Sequence, residues 1–184
     1  MKKLMKKKKI PMKQKLNIFL DIDDVVAAWQ ESYCKTFNRQ PAKSWNENRE
    51  EMNYHLSLLK KDRSFWTNLP VKHFPDFQPN GYLSARSIPK TWTHEFMKRN
   101  KLPGRNNINQ VPWNVSKIHK LKQFGVEVFI DDKLETFLEC NKNGIFCLLM
   151  DASHNQHYQT DLRINDLKYE TILNKYNQYA RTIN

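Results

Sequence analysis

Three carboxylates, Asp21, Asp23 and Asp24, stand within four positions directly after the apolar run Ile18, Phe19, Leu20. Asp is poor in strands and favoured in turns, so one of them would end a strand at little cost. Three together repel one another unless a cation or protons offset the charge. The plainer explanation is an acidic helix N-terminus, where the dipole favours Asp. The rest of the chain supplies company for these residues. A second acidic pair, Asp131 and Asp132, follows the apolar run Val128, Phe129, Ile130, and Ser84 and Arg86 close the run that begins at Gly81. An oxygen-rich cluster of this kind suits Mg²⁺, which takes a few carboxylates, water and phosphate oxygens. One Asp can then attack phosphorus as a nucleophile, and another, two residues on, can move the proton of the leaving oxygen. A hydroxyl and a lysine would hold the phosphoryl oxygens and spread their developing charge. Ser84 offers the hydroxyl. Lys117 offers the amine, with Lys120 as a rival one turn on that is less well spaced from Asp131. Arg86 is either a further phosphate contact or the partner of a surface acid.

These groups need a scaffold that brings strand ends together. Apolar runs at 15–20, 81–85, 126–130 and 145–150 read as buried strands. Helical spacing appears at 25–37, through Val25, Val26, Trp29, Tyr33 and Phe37, and again at 50–61, 90–100, 115–124 and 134–143, with a last helix within 162–179. Residues 38–48 read as a loop and 64–69 as a short aromatic segment ended by Pro70. Strands that are apolar throughout and alternate with helices predict an α/β fold, a parallel sheet sandwiched between helices. In such sheets ligands bind outside the carboxyl ends of the strands, which places Asp21 to Asp24, Ser84 to Ser87 and Asp131 to Asp132 on one rim.

Composition sets the outer limits. A chain of 184 residues with 39% hydrophobic content suits one domain with a real core. Four glycines leave no room for a Gly-rich phosphate loop. The net charge of +12 is concentrated: residues 1–15 hold eight lysines and no acid, leaving 23 basic against 19 acidic residues in the remainder. Such a block predicts a solvated tail that contacts nucleic acid or another anionic surface by counterion release. It lacks the apolar core of a signal peptide, and no stretch reaches the ~18 apolar residues of a membrane span. Three cysteines, Cys34, Cys140 and Cys147, fit no zinc pattern and read as reduced thiols of a cytoplasmic protein, the latter two in the core. His154 and His157, which precede Tyr158, either bind a metal or belong to a solvated loop, and the loop is the expectation.

The quoted motifs carry a resemblance. DIDDVVA at 21–27, YLSARS at 82–87, SK at 116–117 and VFIDDK at 128–133 are similar, in order and spacing, to the four motifs of the haloacid dehalogenase superfamily. The similarity covers about residues 16–170. It implies a three-layer, doubly wound, Rossmann-like parallel sheet and Mg²⁺-dependent phosphoryl transfer through an aspartyl-phosphate. Asp21 matches the nucleophile and Asp23 the general acid/base; Ser84 and Lys117 match the phosphate-binding pair. Asp131 matches the metal-binding carboxylate, Asp132 sharing that role, with Asp21 and the backbone carbonyl of Asp23 completing the metal site. An acid at Asp23 favours a phosphatase or phosphotransferase over a dehalogenase, whose leaving group needs no proton.

Within that superfamily the chain most resembles 5'(3')-deoxyribonucleotidases and related proteins, which carry a small helical cap after the first strand. Residues 28–75 occupy that slot, and FWTNLP at 65–70 resembles the segment returning from it. Trp29, Phe37, Trp45, Phe65 and Trp66 either stack a base or fill the cap's own core. Trp29, Phe65 and Trp66 are the candidates for the substrate pocket. The resemblance implies a small phosphorylated substrate, a nucleotide. The alternatives are a phosphatase of nucleic-acid ends, which the lysine block suggests, and a non-catalytic binding protein on the same scaffold.

Overall fold

The computed structural model describes residues 16–45 and 47–182. The lysine block at 1–15, and with it the expectation of an anion-contacting tail, lies outside the described residues.

Alternation along the strands builds the layers. In β1 (Ile18–Leu20), Ile18 and Leu20 enter one core while Phe19 enters the other. The same division separates Val128 and Ile130 from Phe129 in β4 (Val128–Asp131). It separates Phe146, Leu148 and Met150 from Cys147 and Leu149 in β5 (Phe146–Met150). A period of two on a strand buried on both faces demands helices on both sides. The first core takes residues of α1 (Trp29–Phe37), α2 (Arg49–Leu59), α3 (Arg63–Thr67), α4 (Lys90–Arg99) and α7 (Tyr169–Thr182). The second takes residues of α5 (Ile118–Gln123) and α6 (Leu134–Lys142).

With β2 (Gly81–Ala85), β3 (Ile108–Val111) and β6 (Arg163–Ile164), the sheet has six strands in the order β3-β2-β1-β4-β5-β6, all parallel. This is the α/β architecture that strand–helix alternation predicts. The strand order reverses between β1 and β4, and a crevice opens at their carboxyl ends at such a point. The ladder carries on past β1, where Asp21 N–H donates to Ile130 O at 2.8 Å, so Asp21 is held in register beside Asp131.

Three local expectations change. The helix expected at 25–37 begins only at Trp29. Residues 22–28 instead form a tight loop in which Ile22 O accepts from both Val26 and Ala27 and Asp24 takes a φ of 53°. The apolar spacing of Val25 and Val26 reflects burial in that loop. The loop is closed across the fold: Ala28 N–H donates to Pro70 O and Lys72 N–H to Val26 O, tying the two ends of the α1–α3 segment together. The helix expected at 115–124 is shortened to α5 because Val115 is held in a turn, its N–H donating to Pro112 O at 2.9 Å, and the chain bends again before Ile118. Strands β3 and β6 have no counterpart in the sequence reading. They are edge strands, and Asn109 and Gln110 in β3 are only half-buried, so its apolar signal is two residues long. Cys140 and Cys147 are buried, and all three cysteines are free. Among the described residues no helix is long and apolar enough to cross a membrane.

Candidate active site

The ends of β1, β2 and β4 and the turn before α5 converge on one buried cluster. Asp21, Asp131 and Asp132 each present a carboxylate oxygen within 4.8 Å of the others. Lys117 Nζ lies 2.6 Å from Asp131 Oδ2 and 3.1 Å from Asp21 Oδ2, itself only 5% exposed. Lys120, by contrast, is on the outer side of α5 beside Gln123 and Phe124. Asp131 also accepts the Lys133 backbone N–H at 2.8 Å. The other oxygen of Asp21, Oδ1, is buried with no hydrogen-bond partner.

Burial dominates the electrostatics here. It pushes the Asp21 carboxyl up to about 8, against the pull of Lys117, and the neighbouring Asp131, Asp132 and Asp23 add to the rise. Asp131 is raised by burial too, again against Lys117. Burial disfavours the Lys117 cation, but Asp131 and then Asp21 more than offset this and hold its proton firmly. One ammonium among three crowded carboxyl groups leaves an oxygen-only donor set in which Asp21 Oδ1 has no partner. That donor set fits a hard divalent cation. Asp21, Asp131 and Asp132 would hold it.

Asp23 is placed differently. Its carboxylate is outside the trio and is gripped by Arg86, with Nε to Oδ2 at 2.8 Å and NH2 to Oδ1 at 2.6 Å. Arg86 NH1 donates to Thr93 at 3.1 Å, and the guanidinium lies 5.2 Å from the Trp66 ring centre. Arg86 was a candidate phosphate contact; here its buried fork is spent on Asp23 and Thr93. The Ser84 hydroxyl, 1% exposed, lies 3.5 Å from Asp23 Oδ2.

Asp24 keeps the plain role. Its carboxylate oxygens accept the Gln30 N–H at 3.0 and 3.2 Å, capping α1, and Lys72 Nζ is 3.7 Å away. Burial, then Asp132, push its carboxyl up to about 7 against Lys72 and the Gln30 N–H. A carboxyl raised on folding stabilises most below its unfolded value, and that contribution is lost as pH climbs through the folded value. Asp24→Asn keeps an acceptor for Gln30 and tolerates the positive φ. It is expected to gain on the parent between pH 4 and 8, reaching about 1–3 kcal/mol. Urea midpoints across that range measure it; a difference that does not change with pH contradicts this account.

Above the cluster lies a cavity of about 440 Å³. Asp21, Asp23, Ser84, Lys117 and Asp132 are in its lining, and Trp29, Trp45, Trp66 and Trp113 form its aromatic part. Four of the chain's five tryptophans therefore meet here. Trp66 donates its indole N–H to Leu59 O at 2.8 Å, whereas the Trp29 indole N–H has no partner. Phe65 packs edge-on to Trp66 and is not in the lining; Phe37 stacks on His55 at 3.8 Å, also outside it.

Two of these placements have no local signal in the sequence. Trp113 lies in the lining two residues after β3, its N–H donating to Ser87 Oγ at 3.3 Å. His154 was expected in a solvated loop, but it is 2% exposed, with Nε2 2.9 Å from Asp132 Oδ2. Burial pushes its ring down, and Asp132 more than offsets this to leave it above its ordinary value. Nothing local in the sequence announces a contact across 22 positions. His157 is exposed as expected.

No family model matches the chain, and no curated protein matches it by sequence. Among solved structures, the chain is similar to the crystal structure of β-phosphoglucomutase from Clostridium difficile at 13% identity and a TM-score of 0.46, over 91% of this chain and 100% of that one.

Proposed function

We propose that this protein is a Mg²⁺-dependent phosphomonoesterase of the haloacid dehalogenase type, working through an aspartyl-phosphate and acting on nucleotides as a 5'(3')-nucleotidase. The observation that carries the reading is Asp21: a buried carboxylate braced by Lys117, with one oxygen unpartnered, at the floor of a cavity.

The chain's own residues divide the chemistry. An Asp21 oxygen attacks phosphorus and the ester bond to the leaving oxygen breaks, giving an aspartyl-phosphate and an alcohol. Asp23 gives a proton to that leaving oxygen and then takes one from the water that hydrolyses the acyl phosphate, regenerating Asp21 and releasing phosphate. Ser84 and Lys117 hold the phosphoryl oxygens in a site dry enough for their charges to count. Arg86 fixes the direction in which Asp23 points. Bound among Asp21, Asp131 and Asp132, Mg²⁺ would offset the charge of the phosphoryl group and of the carboxylates.

The nucleotide preference is supported by the walls. The cavity volume lies in the ~300–1,000 Å³ range of small-molecule sites, and flat tryptophan faces suit a base. A second reading, a phosphatase of nucleic-acid ends, is favoured by Arg49 and Lys133, which share the lining with Trp45 and Trp113, since cations and aromatics together bind single strands. Glu135 and Glu139 in the same lining oppose it.

The test is phosphate release, with Mg²⁺ or with EDTA, from 5' and 3' mononucleotides, sugar phosphates and end-phosphorylated oligonucleotides. Release from mononucleotides that EDTA stops is the expected result. Release from oligonucleotides alone moves the substrate to strand ends. Failure to release phosphate from every member, by folded protein, overturns the enzyme reading in favour of a binding protein.

A further inference from the structure

Each member of the carboxylate trio is held by a nitrogen group. Asp21 has Lys117, and Asp131 has Lys117 and the Lys133 N–H. For the Asp132 side chain the brace is His154, at 2.9 Å. Asp132 is 3% exposed and lines the cavity, so one side of its carboxylate meets His154 while the residue borders the open site. A carboxylate only accepts hydrogen bonds, so Nε2 must carry the proton toward it. The other ring nitrogen, Nδ1, is buried without a partner. A polar ring kept dry at that cost, against an acid in the site, needs an explanation beyond packing.

The surroundings of His154 connect it to the cavity wall. Trp45, in the cavity lining, stands edge-on to the His154 ring with centres 5.2 Å apart, and Lys133 Nζ lies 5.1 Å from the Trp45 ring. The preceding residue, Ser153, donates to Ala42 O at 3.0 Å in the same loop as Trp45. The following residue, Asn155, donates to the backbone oxygens of Asp132 and Met150 at 2.7 and 2.8 Å. Arg163 holds Asn155 in turn, NH2 to its backbone oxygen at 2.9 Å. One three-residue turn, Ser153–Asn155, thus grips the loop that carries Trp45 with one residue and the end of β4 with the next two.

We propose that His154 is a positioning residue: it aims the Asp132 carboxylate into the metal site and, through Trp45, ties occupancy of that site to the order of the loop at 41–45. The inference rests on the trio being a divalent-cation site, and hydrogen-bonded partners of metal-binding groups typically change metal affinity by 10–100-fold when removed. The linkage is reciprocal: whatever orders the loop favours the cation, and the cation orders the loop.

The experiment uses Mn²⁺ as probe, titrated into the full-length protein and followed by loss of the free-ion paramagnetic resonance signal, with amide hydrogen exchange at 41–45 measured with and without the ion. His154→Phe is expected to weaken Mn²⁺ binding by about 10–100-fold. His154→Gln, which can offer an N–H toward Asp132, should recover most of it. Mn²⁺ should slow exchange at 41–45 in the parent and in His154→Gln, and not in His154→Phe. Equal Mn²⁺ affinity in the parent and in folded His154→Phe overturns the positioning role, and equal slowing of the loop in both overturns the coupling. Should His154→Phe not fold, His154→Gln decides: recovery of less than a tenth of parental affinity would count against a hydrogen-bonding role. A parent that binds no Mn²⁺ instead removes the metal-site reading itself, so the two failures are distinct.

Discussion

Asp21→Asn is expected to lower phosphate release by roughly 10⁴-fold or more, the scale seen when a covalent nucleophile is removed, and to leave a protein that melts higher than its parent when metal is absent. Asn can keep a hydrogen bond from Lys117, which now sits 3.1 Å from Asp21 Oδ2, but it cannot form the acyl phosphate. The stability gain follows from the burial that pushes the Asp21 carboxyl up to about 8. Because the folded value is raised, the parent favours the protonated form. Its contribution is complete below the ordinary carboxylate value and is lost as pH rises through about 8. The advantage of the variant is therefore small at pH 5 and largest near pH 9. Melting curves in EDTA at those two pH values, beside a phosphate assay at saturating Mg²⁺, check both halves. Retained turnover would remove Asp21 as nucleophile. A variant that melts below its parent at pH 9 would mean the carboxylate is stabilising where it sits.

Lys117→Met should be the most damaging single change in the core of the site. It removes the ammonium between Asp21 and Asp131, 3.1 and 2.6 Å away, and leaves those carboxylates buried without it. Breaking a buried pair by deleting one partner costs about 3–5 kcal/mol. Two conditions should soften the loss in a way that a simple packing defect would not. At pH 5 the penalty shrinks, because Asp21 and Asp131, both already raised by burial, take up protons more readily once the cation is gone. At neutral pH, saturating Mg²⁺ should stabilise Lys117→Met more than the parent, since a ligand stabilises in proportion to how much better it binds the folded state. Denaturant titrations at pH 5 and 8, with and without Mg²⁺, measure this. A variant within ~1 kcal/mol of its parent under all four conditions would show that Lys117 contributes little to holding the cluster together.

The two variants probe one arrangement from opposite sides. A buried ion pair is weak evidence for stability, because desolvation cancels much of the attraction. Here Asp21 and Asp131 share a single ammonium with a third carboxylate, Asp132, close by, and the cluster costs the apo fold something. Removing one acid relieves that cost and removing the base aggravates it. Sites that carry such strain are candidates for function because packing alone gives no reason to build them.

The alternation of strands and helices and the placement of acids at strand ends are legible along the chain, because both are local. A strand buried on two faces must be apolar over consecutive residues, as Ile18 to Leu20 and Val128 to Ile130 are. A turn after it accepts Asp at Asp21 and Asp131 without disturbing the ladder. The parallel sheet follows from that alternation, and its reversal between β1 and β4 brings the two acidic turns together. Lys117 could be picked over Lys120 by spacing alone.

What the chain could not announce were pairings between distant segments. Arg86 looked equally suited to a phosphate or an acid, and it is Asp23, 63 positions away, that takes its fork. His154 looked like a loop residue until the turn at Ser153–Asn155 buried it against Asp132. Val25 and Val26 mimic a helix because a buried loop and a buried helix turn both need apolar side chains. Only the hydrogen bonds from residues 70–72 to that loop separate the two. Strand β3 was invisible because an edge strand needs few apolar residues, and Trp113 was lost with it. Composition and periodicity report where a residue wants to be relative to water. Which partner it meets there is set by tertiary packing, since the free energy of a buried charge or hydrogen bond depends on the neighbour that satisfies it.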